Sequence, residues 1–247
     1  MSGLFVTVAA AAAVGYKGFN SALDQGLVPQ PPGKYASTDR HRWRNAATSC
    51  LNAAVVSVLT LHCLFSYPDA WHSPHSHYSE LAEASLAVMT GYVIYDTWDI
   101  IMHTGLFKQW TVLLHHVIVG LVFYMLSRDR VEFGSGMIAL LTEVNAVFLH
   151  SRQLLLIYGF SKSSPIYRVH RAFNLATGLF FRLVPVAYVF FMSFFIGGRG
   201  HASVALQTLL PLLTFSALVM NCMMLMRLLR SDFFSTKTDK VDFILEN

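Results

Sequence analysis

Carboxylates and imidazoles occur in this sequence at positions where the neighbouring residues are apolar enough to cross a membrane. "GYVIYDTWDI" contains Asp96 and Asp99, "LLHHVIVG" contains His115 and His116, and "LLTEVNAVFLH" contains Glu143. A charged side chain at bilayer depth costs about 2.5–3.5 kcal/mol, so such residues usually face protein or water and have a function. A histidine with a carboxylate partner can be a general base or an acyl-accepting nucleophile, because the carboxylate fixes its tautomer. These five residues are therefore the candidate catalytic residues.

The composition of the chain is that of a membrane protein with several spans. Of its 247 residues, 54% are hydrophobic and only 13% are charged, and the mean hydropathy is +0.48. A helix needs about 20 mostly apolar residues to cross the hydrocarbon core. Seven segments qualify, at about 4–22, 45–66, 81–103, 111–127, 133–158, 172–196 and 204–226. We therefore predict an all-α polytopic membrane protein.

The loop after the first segment separates that segment from the other six. Its sequence "PQPPGKYASTDRHRWRN" contains prolines and a glycine, which prevent one helix from running into the next. We expect residues 1–39 to form an N-terminal transmembrane anchor with a basic loop, residues 40–230 the main membrane domain, and residues 231–247 a cytoplasmic tail. The anchor is expected to be retained, because the first segment lacks the basic start and clear cleavage site of a secretory signal.

Basic residues are divided unequally between the two sides that seven spans would create. Twelve Lys and Arg residues fall in the C-terminal tail and in the loops after the first, third and fifth spans, against three on the opposite side. Because cytoplasmic loops hold the basic excess, the N-terminus is predicted outside and the C-terminus in the cytoplasm. The net charge of +4 suits the anionic head groups of the lipid bilayer, and we expect no nucleic-acid partner. A homo-oligomer is left open.

The third and fourth spans are predicted to form a hairpin that brings carboxylates close to imidazoles. Asp96 and Asp99 are three residues apart and share a helix face, which His103 continues. His115 and His116 follow a short turn, at nearly the same depth in the membrane. Because adjacent helical residues point about 100° apart, we expect one histidine to face the interior and the other a neighbouring helix.

Further polar residues in the last three spans recur at helical spacing. Glu143 and His150 are seven residues apart and share one face of the fifth span. Asn145 and Arg152 are also seven residues apart, but on roughly the opposite face. A helix that is polar on two faces belongs inside a bundle, so the pattern favours a polar or lipid-accessible central cavity. The residues expected to line this lipid pocket or support it are Asn145, His150, Arg152, Asn174 and Arg182.

Three alternatives to a reactive site are left open by the residues alone. The ionisable groups could be structural pairs that fix helix register, each worth only about 0.6 kcal/mol in a membrane. They could also bind iron or zinc. However, the chain lacks the Glu-x-x-His pairs of di-iron bundles, and the histidine-rich "WHSPHSHYSE" falls on the other side of the membrane from the hairpin. We therefore expect no metal and no bound cofactor. Transport is the third alternative, although no broken-helix repeat is visible.

Four motifs together resemble the TLC-domain family, which includes the ceramide synthases and several small TLC-domain-containing proteins. The motifs are "RWRN", "GYVIYDTWDI", "LLHHVIVG" and "LLTEVNAVFLHSRQLL", and the resemblance covers about residues 40–230. It implies a barrel of six membrane helices, preceded here by one N-terminal helix, with an interior open to a long acyl chain. In the ceramide synthases, a His–His pair and nearby aspartates carry acyl transfer from acyl-CoA to a sphingoid amine. The resemblance places the pair on His115 and His116, and an aspartate on Asp96 or Asp99.

The fifth span departs from the ceramide synthases, which carry two aspartates there. This chain has Val144 and Val147 at those positions and offers Glu143 instead. Its short length, "FRLVP" and "RLLRSDF" resemble the TLC-domain-containing regulators of membrane fluidity. That resemblance implies a multi-pass protein of the plasma membrane, with the endoplasmic reticulum membrane as the alternative, that limits the incorporation of polyunsaturated chains and affects phosphatidylethanolamines. A phospholipid or long acyl chain is the expected ligand, and acyl-CoA is a co-substrate only if the protein is an acyltransferase.

Overall fold

The computed structural model describes residues 2–26, 28–31, 40–195 and 202–234 of the chain. Within these ranges, all regular secondary structure is helical. The α-helices are α1 (Gly3–Asp24), α2 (Arg40–Ser66), α3 (Asp69–His72), α4 (Glu80–His103), α5 (Trp110–Asp129), α6 (Phe133–Leu140), α7 (Thr142–Ile157), α8 (Pro165–Thr177), α9 (Val184–Phe195) and α10 (Val204–Leu229). Two π-helical segments, Gly178–Leu183 and Arg230–Phe234, join α8 to α9 and follow α10.

Five helical segments of the described chain are long and apolar enough to cross a membrane, which confirms the prediction of an all-α polytopic membrane protein. They are Arg40–Ser66, Trp110–Asp129, Phe133–Ile157, Pro165–Phe194 and Val204–Phe234. The other two predicted spans, α1 and α4, have spanning length with 22 and 24 residues. α1 and α4 are not among the five segments, and α4 has acidic residues near both of its ends.

α1 and α4 pack closely because small residues lie where they meet. A Cβ atom on Gly91 of α4 would lie 2.3 Å from the carbonyl oxygen of Ala9 and 2.7 Å from the Cβ of Ala12. The rings of Tyr16 and Tyr92 meet edge to face beside this contact, with centroids 5.4 Å apart. Small residues are a common means of close helix association in membranes. The N-terminal helix is therefore packed into the bundle through α4.

Two predicted spans contain irregular turns, and two begin earlier than predicted. The span predicted at 133–158 is divided at Leu141 into α6 and α7. The next span contains a π-helical segment directly before Pro185, whose missing N–H group interrupts the regular hydrogen-bond ladder. This span begins at Pro165 rather than at about 172, because the Ser164 hydroxyl caps it by accepting a hydrogen bond from the Tyr167 N–H. α2 likewise begins at Arg40 rather than at about 45.

The two ends of the bundle are filled differently. A hydrophobic core that includes the buried Leu86, Leu126 and Met137 fills the end where α4 begins and α5 finishes. The opposite end carries the turn 104–109 that joins α4 to α5, and we call it the hairpin end. α2 and α10 also place polar residues at the hairpin end, so the predicted site lies there rather than in the hydrophobic core.

Candidate functional site

A cavity of about 580 Å³ lies among α2, α4, α5, α7, α9 and α10. Ligand sites for small molecules usually have volumes of roughly 300–1,000 Å³. Near the hairpin end the lining includes the polar residues His41, Arg42, Asn45, Gln109 and Arg227. Deeper along the helices it includes the apolar residues Val122, Phe123, Val186, Val189 and Leu213. The cavity is therefore polar at one end and apolar at the other.

Six of the ten predicted site residues line this cavity: Asp96, His115, His116, Glu143, His150 and Arg182. Glu143 and His150 lie on the same wall, as their spacing of seven residues predicted. The structure places the other four predicted residues, Asp99, Asn145, Arg152 and Asn174, in contacts between helices outside the lining. α7 therefore has two polar faces: Glu143 and His150 face the cavity, whereas Asn145 and Arg152 contact neighbouring helices.

The two adjacent histidines have different surroundings, although both line the cavity. The Nδ1 atom of His116 lies 2.9 Å from the Thr97 hydroxyl, and its Nε2 atom lies 3.5 Å from Oδ2 of Asp96. Asp96 also accepts a hydrogen bond of 2.5 Å from the side-chain amide of Asn45. His115 makes no hydrogen bond to the part of the chain that the structure describes. His116 therefore ties α5 to α4, whereas the imidazole of His115 faces the cavity without a hydrogen bond to the described residues.

Asp99 belongs to a different cluster from Asp96, contrary to the predicted shared grouping with the histidine pair. Its Oδ2 atom lies 2.8 Å from Nε2 of His41, and its Oδ1 atom lies 3.4 Å from Nδ1 of His103. The rings of His41 and His103 are stacked, with centroids 4.4 Å apart. Three residues along a helix turn the side chain by about 60°, which is enough to direct Asp99 toward the start of α2.

Asn145 and Arg152 connect α7 to the C-terminal third of the bundle. The amide of Asn145 donates to the carbonyl oxygen of Asn174 at 2.9 Å and to its side-chain oxygen at 3.0 Å. The guanidinium of Arg152 is fully buried and donates from Nε to Oδ2 of Asp232 at 2.7 Å, with a second bond from Nη2 to Oδ1. The Tyr167 hydroxyl donates to the same carboxylate at 2.9 Å. These residues support the cavity by holding its helices together.

Sequence reasoning missed three partners of the predicted residues: His41, Asn45 and Asp232. His41 and Asn45 are one helical turn apart in "RHRWRN", and that spacing was a local sign of a polar face. Asp232 is the only acidic residue of "RLLRSDF", but it lies 80 residues after Arg152. No local pattern connects two residues at that separation.

The histidines of "WHSPHSHYSE" do not gather around one point. The Nδ1 atom of His75 lies 2.7 Å from Oε1 of Glu132, and the Nε2 atom of His77 lies 3.3 Å from the Ser79 hydroxyl. Burial lowers the pKa of His77, which favours its neutral form beside that hydroxyl. The stretch therefore supports the loop between α3 and α4 through separate side-chain contacts.

Comparison with known proteins relates the chain to one family along most of its length. A family model described as the TLC domain matches residues 42–230. The chain is 29% identical over 231 residues to TLC domain-containing protein 2 of Danio rerio, covering 90% of this chain and 89% of that protein. It is 31% identical over 194 residues to TLC domain-containing protein 1 of Homo sapiens, covering 78% and 76% of the two chains. No solved structure matches it.

Proposed function

The chain belongs to the TLC-domain family, and we propose that it regulates the fatty-acyl composition of phospholipids by binding an acyl chain in its central cavity. In this proposal the protein acts in the plasma membrane. It limits the incorporation of polyunsaturated chains, notably into phosphatidylethanolamines, and so lowers membrane fluidity. The family resemblance of the motifs supports the choice of lipid, and the cavity supports the mode of binding.

The observation that carries the proposal is the unequal polarity of the cavity. An apolar lining deep among α5, α9 and α10 suits an acyl chain, because apolar surface is best buried against apolar side chains. His115, Glu143 and Arg182 also line the cavity and can donate hydrogen bonds to, or accept them from, a head group or an ester. A phospholipid combines these two chemistries in one molecule.

The proposal is tested by filling the apolar part of the cavity. Val119 lines the cavity on α5, and a Val119→Trp variant places an indole where the acyl chain would lie. We expect this variant to retain less phospholipid on purification and to lose its effect on the acyl composition of cellular phosphatidylethanolamines. Both are measured by mass spectrometry and normalised to protein amount.

The matched control places the same side chain on the outside of the same helix. Val117 is 63% exposed, so Val117→Trp adds a tryptophan that faces the surroundings of the bundle. The control should keep both the bound phospholipid and the lipidomic effect. Full lipidomic activity in a folded Val119→Trp variant would overturn the assignment of the cavity as the site.

A second candidate function, an acyl-CoA-dependent acyltransferase of the ceramide synthase type, is favoured by the free imidazole of His115. In such a reaction the acceptor amine or hydroxyl loses a proton to His115 and its nitrogen or oxygen bonds to the acyl carbon. The bond between that carbon and the CoA sulfur breaks, and the CoA thiolate takes the proton from His115. His116 and Asp96 would hold the hairpin that positions His115. Glu143 lines the same cavity and could orient the acceptor.

The two functions give different results with purified protein. An acyltransferase should form product from acyl-CoA and a lipid acceptor, and His115→Ala should abolish this transfer while phospholipid still copurifies. A protein that only binds lipid should form no product with or without His115. Asp96→Asn should weaken transfer less than His115→Ala, because Asp96 contacts His116 rather than His115.

A further inference from the structure

Two histidines and an aspartate from separate helices converge at the hairpin end of the bundle. His41 is the second residue of α2, while Asp99 and His103 lie in the last turns of α4. Their ligand atoms all lie within 4.8 Å of one another. In the described part of the chain, this is the one group of three such residues compact enough to hold a metal ion.

The carboxylate at the centre of this group has an unused oxygen. Asp99 is fully buried, and its Oδ1 atom accepts no hydrogen bond from the described residues. The nearest candidate donor, Nδ1 of His103, is 3.4 Å from Oδ1 but lies 2.9 Å from the backbone oxygen of Asp99. Leaving a buried acceptor without a donor is unfavourable, and more so when the acceptor is charged. A ligand that supplies positive charge would remove this cost.

The two imidazoles lie face to face beside the carboxylate. Their rings stack with centroids 4.4 Å apart and an angle of 18°, so both rings can turn a nitrogen toward one point. A divalent ion binds both rings in their neutral form and still balances the carboxylate. Neutral imidazole with a carboxylate oxygen is a ligand set that suits zinc.

We propose that His41, Asp99 and His103 bind one Zn²⁺ ion at the hairpin end of the bundle. Bonds of about 2.0–2.2 Å to zinc place tetrahedral ligand atoms about 3.3 Å apart. In the structure Oδ2 of Asp99 lies 2.8 Å from Nε2 of His41, Oδ1 lies 3.4 Å from Nδ1 of His103, and one ligand atom of each residue lies within 4.8 Å of the others. Both histidine side chains are partly exposed, at 18% and 38%, so they can be reached by the ion and can adjust around it.

The position of this zinc site gives it a structural and a chemical consequence. The ion joins the start of α2 to the end of α4, which are the helices that also meet through Asn45 and Asp96. Three protein ligands leave a fourth position for water or another oxygen ligand. Because His41 also lines the cavity, the site adjoins the polar end of the cavity. Sequence motifs gave no sign of the site, since His41 and Asp99 are 58 residues apart.

The test measures zinc in the full-length protein, purified in detergent through an affinity tag that lacks histidine. The protein is stripped with a chelator, dialysed against a limited excess of Zn²⁺, and analysed for zinc by atomic emission. We expect about one ion per chain. His41→Ala and His103→Ala should each lower the affinity for zinc. Changing a residue that only hydrogen-bonds to a metal ligand typically lowers the affinity about 10–100-fold, and the loss of a ligand should exceed this. The matched control is His72→Ala, which removes an exposed histidine elsewhere.

Cobalt provides a readout that needs no variant. Co²⁺ bound by two imidazoles, a carboxylate and water in a four-coordinate site gives strong visible absorption, whereas hydrated Co²⁺ gives weak bands. The proposal is overturned if the wild-type chain shows neither stoichiometric zinc nor these bands. Equal zinc binding by the wild type and a His41→Ala/His103→Ala double variant would likewise overturn it, by showing that the metal is held elsewhere on the surface.

Discussion

Removing the buried carboxylate of Asp232 should destabilise the whole helix bundle. The side chains of Arg152 and Asp232 both have no exposed surface, so water cannot replace either partner. An Asp232→Leu substitution keeps a side chain of similar size but removes the carboxylate that pairs with the buried guanidinium of Arg152. It also removes the acceptor of the Tyr167 hydroxyl. Breaking a buried ion pair by removing one partner costs about 3–5 kcal/mol.

The coupling between the two residues is measured with a double-mutant cycle. Arg152→Met removes the cation, and the Arg152→Met/Asp232→Leu double variant removes both charges. We expect the double variant to be more stable than the sum of the two single losses predicts, because no uncompensated charge remains. Unfolding in detergent micelles, followed by thermal shift, is a suitable assay. A loss of 3–5 kcal/mol corresponds to a fall in Tm of about 6–20 °C for a chain of this size.

An exposed ion pair serves as the matched control. Arg40 and Asp24 approach to 2.9 Å, but their side chains are 43% and 46% exposed. Such pairs contribute about 0–1 kcal/mol, so Asp24→Asn should change the Tm little. If Asp232→Leu is no more destabilising than Asp24→Asn, the buried pair does not hold α7 to the C-terminal segment. Strict additivity in the cycle would refute the coupling itself.

Two further predictions concern packing and orientation. Gly91→Ala should destabilise the bundle by about 1–3 kcal/mol, because its Cβ would lie 2.3 Å from the Ala9 carbonyl oxygen. Gly120→Ala, where nothing lies within 4 Å of the added Cβ, should not lower the Tm; equal losses would contradict the close packing of α1 on α4. A tag after Asn247 should bind antibody only in permeabilised cells, and a tag before Met1 should bind it in intact cells. The reverse pattern would invert the predicted topology.

The sequence alone determined the helices and the helical faces of the site. Apolar segments of membrane-spanning length predict helices because every backbone N–H and C=O group must be satisfied internally in lipid. The turn between α4 and α5 could be predicted for the same local reason, and it brings His116 to Asp96. The spacing of Glu143 and His150 placed them correctly on one cavity wall, since helical periodicity is a property of the local chain.

Only the tertiary structure decided which polar groups are partners. Whether a side chain meets the cavity or a neighbouring helix depends on the rotation of each helix about its axis, and packing against distant segments sets that rotation. Asp99 therefore pairs with His41 rather than with the histidines of α5, and Arg152 pairs with Asp232. Residues 58 and 80 positions apart have no periodic relation in the sequence, so their contacts arise from the packing of the bundle.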